Sequence, residues 1–398
     1  MPGAFDGIRV LDFGRFIAGP FCACLLGDLG ADVIRIDKRD GSEDRTLVPL
    51  GSDETGAPRE GAMYVQMNRN KRSLTLDPMT QMGREVTRRL VKSADVVVAN
   101  LPGSTLKAMG LDWESVEREN PRAILAAVSA FGLDGPYAER VGFDGVAQAM
   151  SGAAQFSGSP GQPARSAAAW VDFGTASLVA FGVVSALFAR ERTGRGQMVE
   201  GALLRTALTF FSLVLIEEDA LKLGREPTRN RSQTAGPSDI FPTRDGWIVV
   251  AVNGNPIFRR VARLIGAEDW LDDPRFASDR ARGDHGEALS ARLGEWCAAR
   301  TTAEAIAAFE RARVPAGPVY TPAQALADPH VKAGDFFREL PYPGLARAPV
   351  AATPVTLHGT PGTVRRRAPL LGEHTDEILS KIGYSKDEIA GLRVDGAV

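Results

Sequence analysis

The sequence predicts an α/β protein: an open α/β domain followed by a smaller α+β region. Three observations carry this. Short apolar β-type runs recur at residues 8–13, 31–36, 95–99 and 123–129. Helical segments with short joints separate them, and strand–helix–strand order with short joints is the pattern of parallel βαβ units. After Glu218 the composition turns polar, with Pro227 and Pro237, before strand and helix patterns resume.

Each element follows from local signals. Ile8-Arg-Val-Leu-Asp-Phe13 is a β-type run, and residues 14–20 form a loop. Residues 21–29 read as a short apolar helix, ended by Gly30. Residues 31–36 are a second strand. Residues 78–93 are helical, 95–99 an apolar strand, 101–120 loop and short helix, and 123–129 a strand. Residues 175–189 read as a buried helix. The apolar run 176–189 is shorter than the roughly 18 residues a bilayer span needs, and Arg190, Glu191 and Arg192 close it. Residues 224–239 are a linker or functional loop. An Asp245-Gly246 turn leads into a strand over 246–252, and helices then alternate to about residue 313. Residues 313–319 are turn-rich, and residues 369–398 carry two short helices.

Composition narrows the function. The 398 residues carry 47 Lys and Arg against 49 Asp and Glu, a net charge of −2. That balance lacks the basic footprint of a nucleic-acid binder, so no nucleic-acid partner is expected. No secretory signal is visible over residues 1–12, and no membrane partner is expected. Three cysteines, Cys22, Cys24 and Cys297, give neither a disulfide framework nor a four-cysteine zinc site. A cytoplasmic location follows as an expectation. His285, His330, His358 and His374 show no metal-ligand spacing, so no metal is expected. No Walker-type motif and no G-x-S-x-G elbow occurs. Gly194 and Gly196 cannot open a dinucleotide fingerprint, because position 199 is valine and the pair follows a helix.

Two features remain. Asp172 directly precedes the apolar helix 175–189. One reading makes it a plain N-cap. The other makes it a nucleophile at the positive helix end, whose free N–H groups stabilise charge on an attached acyl oxygen. Asn68-Arg-Asn-Lys-Arg-Ser73, before Leu74-Thr-Leu-Asp77, places three cations beside a strand. They read either as facing a polyanion or as a solvated basic stretch.

Taken in order, the motifs carry a resemblance. They are Gly7-Ile-Arg-Val-Leu-Asp-Phe13, Ala18-Gly-Pro20, Asp28-Leu-Gly-Ala-Asp-Val-Ile34 and Asn68-Arg-Asn-Lys-Arg-Ser73. Asp95-Val-Val-Val-Ala-Asn100, Phe131-Gly-Leu-Asp-Gly-Pro136, Ala189-Arg-Glu-Arg-Thr-Gly-Arg-Gly-Gln197, Val314-Pro-Ala-Gly-Pro318 and Ala368-Pro-Leu-Leu-Gly-Glu-His-Thr-Asp376 follow. Together they resemble the class III CoA-transferases, the group of formyl-CoA transferase, carnitine CoA-transferase and α-methylacyl-CoA racemase. The resemblance implies a large Rossmann-like open α/β domain built from both chain ends (1–215 and 330–398). It implies a smaller α+β domain between them (216–329) and an interlocked homodimer. It implies no permanently bound cofactor, with a coenzyme A thioester as substrate. It places the nucleophile at Asp172 and CoA contacts at Ile17, Ala18, Lys38, Leu76, Asp77, Asn100, Leu101 and Phe143, with Lys107 at the nucleotide end. Lys38 keeps the charge of the arginine often found there but loses its planar fork.

Within that group, racemases use a Gly-His-Asp histidine and a downstream acid. This chain has Phe143 in Gly142-Phe143-Asp144 and no acid in Val252-Asn253-Gly254-Asn255-Pro256. A proton-carrying pair is therefore missing, and the resemblance implies a transferase. CoA passes from an acyl-CoA donor, expected to be succinyl-CoA, to a dicarboxylic acid, through mixed anhydride and aspartyl-CoA thioester intermediates on Asp172. The neighbours Trp170, Val171, Phe173 and Phe143 are expected to wall water out. Arg225, Arg229 and Arg231 are candidates for the distal carboxylate, against a solvated loop. Two alternatives stay open: an acyl-CoA isomerase or racemase, including intramolecular CoA transfer, and a non-catalytic acyl-CoA-binding protein.

Overall fold

A computed structural model describes residues 3–52, 60–343 and 347–398. The chain divides into two compact units. One comprises Met1–Ser151, Ala167–Asp219 and Gly334–Val398; the other comprises Gly152–Ser166 and Ala220–Ala333. Gly152–Ser166, assigned to the N-terminal part from sequence, clusters with the second unit.

The first unit is built on six parallel strands. They are β1 (Arg9–Asp12), β2 (Asp32–Asp37), β3 (Lys71–Thr75), β4 (Val96–Ala99), β5 (Ile124–Ser129) and β6 (Met198–Ala202). Their order is β3-β2-β1-β4-β5-β6, so the order reverses between β1 and β4. A ligand site is expected at that reversal, outside the carboxyl ends of the strands. The sheet is buried on both faces, as parallel sheets are. Val10, Val33, Val96, Val98, Ile124 and Ala126 face one core, beneath the helices Ala18–Asp28 and Trp170–Thr193. Leu11, Ile34, Val97, Leu125 and Ala127 face the other. Ile378, Leu379, Ile389 and Leu392 pack there from the helices Thr375–Lys381 and Lys386–Val394, so the chain's last segment completes this unit.

Two glycines permit the close packing of the Trp170–Thr193 helix, one against β6 and one against the next helix. A Cβ on Gly201 would collide with Val179, and one on Gly174 with Phe210 of the helix Leu203–Phe210. Thr175 Oγ1 meets Thr206 Oγ1 at 2.8 Å across the same contact. The helix is 24 residues long, where the sequence suggested 175–189. It is long and apolar enough to cross a membrane by length and composition. One face is buried against the Ala18–Asp28 helix and β6; on the other, Phe181 and Phe188 are about 70% exposed, at 71% and 69%.

The basic stretch 68–73 is neither solvated nor turned to a ligand. Its cations lie in or beside β3, buried and paired with acids from distant segments. Lys71 Nζ donates to Asp12 Oδ2 at 2.7 Å and to the Pro20 carbonyl at 2.8 Å. Arg69 Nη2 donates to Asp28 Oδ2 at 2.6 Å, and Arg72 Nη2 to Asp32 Oδ2 at 2.7 Å. Buried charges need such partners, and all three acids are remote in sequence. β6 went unseen because Met198-Val-Glu-Gly-Ala202 has neither an apolar run nor clean alternation.

The second unit has its own core. Strands β7 (Asp239–Pro242), β8 (Trp247–Val250) and β9 (Ala316–Pro318) form an antiparallel sheet. Phe241, Ile248 and Val250 pack with the helices Asn255–Ile265, Gly286–Ala298 and Thr302–Arg311.

Candidate active site

A cavity of about 1270 Å³ opens in the first unit at the carboxyl ends of β1 to β5. It exceeds the roughly 300–1,000 Å³ of most small-molecule sites, so it suits a long ligand. Phe13, Arg15, Phe16, Ile17 and Ala18 enter it after β1, and Lys38 and Arg39 after β2. Leu76 and Asp77 follow β3, Asn100 and Leu101 follow β4, and Ser129 and Ala130 close β5. Phe143, Asp172 and Arg393 also line it.

The strand-β1 loop is held from both sides. Asn100 Oδ1 accepts from Arg15 N at 2.7 Å, and Asn100 Nδ2 donates to Arg15 O at 2.8 Å. Arg15 Nη1 donates to the carbonyls of Gly14 and Ile36 at 2.9 and 3.1 Å. Burial first, and then Arg35, hold this guanidinium below its ordinary range. Phe16 has φ of 61°, a left-handed value that is costly for a bulky side chain. Asp44 Oδ2 fixes it by accepting from Phe16 N at 3.1 Å, and its ring meets Phe143 edge-on at 5.3 Å. Strain concentrated in a cavity wall is a common mark of function.

The cavity lining is rich in charge, with five cations beside the acids Asp40, Glu43, Asp77 and Asp172. The cations are Arg15, Lys38, Arg39, Arg140 and Arg393. Lys38 Nζ pairs with Glu43 at 2.6 Å in solvent, and Arg140 covers the Tyr137 ring at 4.1 Å. Such donors suit phosphate groups.

Asp172 sits in the first turn of the Trp170–Thr193 helix, and the N-cap is Ala169. It is therefore not an N-cap. Burial first, and the nearby Asp144 carboxylate second, push its carboxyl up to about 7. The N–H groups anticipated for an acyl oxygen are already taken. Asp144 Oδ2 accepts from Val171 N at 2.8 Å and from Asp172 N at 3.1 Å. Trp170 N donates to Ala168 O and Phe173 N to Ala169 O. Trp170 N, Val171 N and Asp172 N are thus each engaged within the protein in this arrangement.

Of the residues singled out in the sequence, Ile17, Ala18, Lys38, Leu76, Asp77, Asn100, Leu101, Phe143 and Asp172 converge on this cavity. Lys107 does not line it; it lies exposed on the helix Gly103–Met109. Of the expected water-excluding walls, only Phe143 faces the cavity. Val171 is core, Trp170 stacks on Phe210, and Phe173 meets Phe21 edge-on. Phe16, Ile17, Leu76 and Leu203 supply apolar wall instead. Arg225, Arg229 and Arg231 belong to the second unit. They contact Asp284, Ser159 Oγ and the Gly283 carbonyl there. Arg15, Arg39, Arg140, Arg393 and Asp144 went unnoticed in the sequence. Arg393 joins the site through the chain's return; Asp144 stood in the Gly142-Phe143-Asp144 triplet but was weighed only for its neighbour.

An open parallel sheet with a large cavity at its reversal of strand order, holding a raised carboxyl, is the ligand-site arrangement of open α/β enzymes. Comparison with known proteins gives the family. The model of CoA-transferase family III matches residues 5–375, and the chain belongs to that family as a CoA-transferase. It is 34% identical to a succinyl-CoA–D-citramalate CoA-transferase of Chloroflexus aurantiacus, over 98% of this chain and 97% of that one. It is 34% identical to a succinate–glutarate CoA-transferase of Agrobacterium fabrum, over 95% of each. It is 32% identical to a formyl-CoA:oxalate CoA-transferase of Rhodopseudomonas palustris, over 100% of this chain and 98% of that one. Among solved structures, a CAIB/BAIF family protein from Brucella suis superposes with a TM-score of 0.83 at 33% identity, covering 96% of this chain and all (100%) of the other.

Proposed function

We propose that this enzyme moves CoA from succinyl-CoA to a free dicarboxylate, with Asp172 as the nucleophile. The observation that carries the reading is a half-buried carboxyl, raised to about 7, lining a large cavity that also holds five cations. A desolvated carboxylate is a better nucleophile than a hydrated one, and water kept from the cavity spares an anhydride. Two relatives whose names specify succinyl-CoA or succinate support the donor.

The steps balance without ATP or metal. An Asp172 oxygen bonds to the thioester carbonyl carbon, the C–S bond breaks, and the electron pair leaves on the CoA sulfur. The thiolate then attacks the Asp172 carbonyl of the mixed anhydride, releasing succinate and leaving an aspartyl-CoA thioester. The acceptor carboxylate attacks that thioester, and the released thiolate takes the new acyl group from the second anhydride. Phe143, 55% exposed and lining the cavity, cannot carry a proton, which speaks against α-carbon chemistry.

A homodimer is part of the same proposal. Phe181, Phe188, Phe210, Leu213 and Ile216 are each more than half exposed on neighbouring helices. So many large apolar side chains left to solvent on these helices favour an interface, and a second copy of this chain is its proposed cover.

The test mixes the enzyme with succinyl-CoA and glutarate, D-citramalate, oxalate and formate in turn, and identifies each new CoA thioester by mass. A dicarboxyl-CoA product from glutarate or D-citramalate, lost in Asp172→Ala, is expected. Exchange surviving in that variant removes Asp172 as nucleophile. Exchange with oxalate or formate alone replaces the substrate class.

A further inference from the structure

The first turn of an α-helix normally leaves four N–H groups without intrahelical partners. At Trp170–Thr193 the first three helical residues, Trp170, Val171 and Asp172, all have N–H partners. The N-cap Ala169 has no side chain able to accept, and two of the four donors turn to a carboxylate from another helix. That carboxylate, Asp144, is 7% exposed and begins the helix Asp144–Met150. Its second oxygen is held by Gln148 Nε2 at 2.5 Å. A serine at position 169 would cap the helix without burying a charge. Asp144 brings a buried carboxylate to this helix end as well as a cap.

We propose that Asp144 is a positioning residue for this active site: it ties down the backbone of Val171 and Asp172 and keeps a negative charge beside the Asp172 carboxylate. The inference rests on the reading of Asp172 as nucleophile. Like charges at close range disfavour double ionisation, so the free Asp172 carboxylate is held in an unfavourable state. When Asp172 is acylated its negative charge departs on the CoA sulfur, and the repulsion at the helix end disappears. Asp144 thus favours the acylated enzyme over the free one, while touching neither substrate nor reacting atoms.

Other charges share the cavity, from every element around it. Arg15 follows β1; Lys38, Arg39, Asp40 and Glu43 follow β2; Asp77 follows β3. Arg140 comes from the loop after β5, and Arg393 from the Lys386–Val394 helix. None of their side chains hydrogen-bonds to Asp172 among the described residues. Arg15 spends Nη1 on backbone carbonyls, Lys38 is paired with Glu43, and Arg393 with Asp376. Among the described residues, Asp144 is the side chain that accepts from Asp172 N.

Wild type and Asp144→Asn are incubated with succinyl-CoA, and intact-mass and peptide analysis report the CoA adduct. Exchange with glutarate is followed from pH 5 to 9. The wild type is expected to carry the adduct on Asp172. Asp144→Asn is expected to lower the adduct fraction at least threefold and to move the acid limb of kcat down by about one pH unit, the scale of a close like-charge pair. KM for succinyl-CoA should stay within twofold. An unchanged limb and adduct fraction overturn the role of Asp144 while leaving Asp172 as nucleophile. A wild type with no adduct on Asp172 overturns both. A second measurement needs no Asp144 variant. The infrared difference between wild type and Asp172→Asn titrates the Asp172 carboxyl directly, and an ordinary carboxylate midpoint in the wild type overturns the proposal.

Discussion

Asn100 and Arg15 are joined in both directions: the Asn100 amide accepts from Arg15 N at 2.7 Å and donates to Arg15 O at 2.8 Å. One side chain after β4 thus fixes the loop after β1, across the reversal of strand order. A backbone so held presents Phe16, Ile17 and Ala18 to the cavity without a loss of entropy on binding.

Asn100→Leu removes both hydrogen bonds and leaves the loop amide and carbonyl of Arg15 to find other partners. KM for the acyl-CoA is expected to rise about tenfold, the worth of roughly one to two net hydrogen bonds, with kcat falling less. Steady-state kinetics on a purified, folded variant checks this. An unchanged KM would mean that the loop is held by Arg15's own contacts.

Asp172→Asn should abolish exchange by a factor of at least about 10⁴, the scale for removing a covalent nucleophile. In the wild type, kcat/KM should rise through the region of pH 7 as the carboxyl ionises, in line with its raised position near 7. An acid limb near 4 would show that Asp172 ionises as an ordinary aspartate.

The same substitution should stabilise the fold at alkaline pH. The Asp172 carboxyl is raised from 3.8 to about 7, so between these values the folded chain binds more protons than the unfolded one. Stability from the neutral carboxyl is full below about pH 4 and is lost as pH rises through 7. Asn has no charge to desolvate. Urea unfolding at pH 8 should therefore favour Asp172→Asn by about 2 kcal/mol, after discounting roughly half of the nominal linkage for partial solvent access. The difference should shrink toward zero at pH 4.

Lys71→Met should destabilise the first unit strongly. Lys71 Nζ is the cation on Asp12, and both side chains are fully buried, at 0% exposure. Removing one partner strands the other charge, at a cost of about 3–5 kcal/mol. The double variant Lys71→Met, Asp12→Leu should recover much of that loss. Chemical denaturation of the single and double variants measures the coupling directly.

Several elements were legible because their determinants are local. β1, β2, β4 and β5 announce themselves as apolar runs, and the helix Gln81–Lys92 carries a Thr80 cap that bonds Gly83 N at 2.9 Å. β3 was obscured because its residues are Lys71, Arg72 and Ser73, which suit a buried strand only when Asp12, Asp32 and Asp37 arrive from β1 and β2. Local propensity cannot register a partner dozens of residues away.

The sequence by itself determined the open α/β class, the family through motifs from Gly7 to Asp376, and the candidacy of Asp172, Asn100, Asp77 and Lys38. Those rest on residue types in order along the chain. Tertiary structure alone decided that the cations of residues 69–72 are buried counter-ions and that Lys107 faces solvent. It alone decided that Arg393 joins the cavity and that Asp144 occupies the donors at the Asp172 helix end. The reason is common to all four: a charge's role depends on which opposite or like charge the fold brings within a few ångströms, and that distance is not written in the sequence spacing.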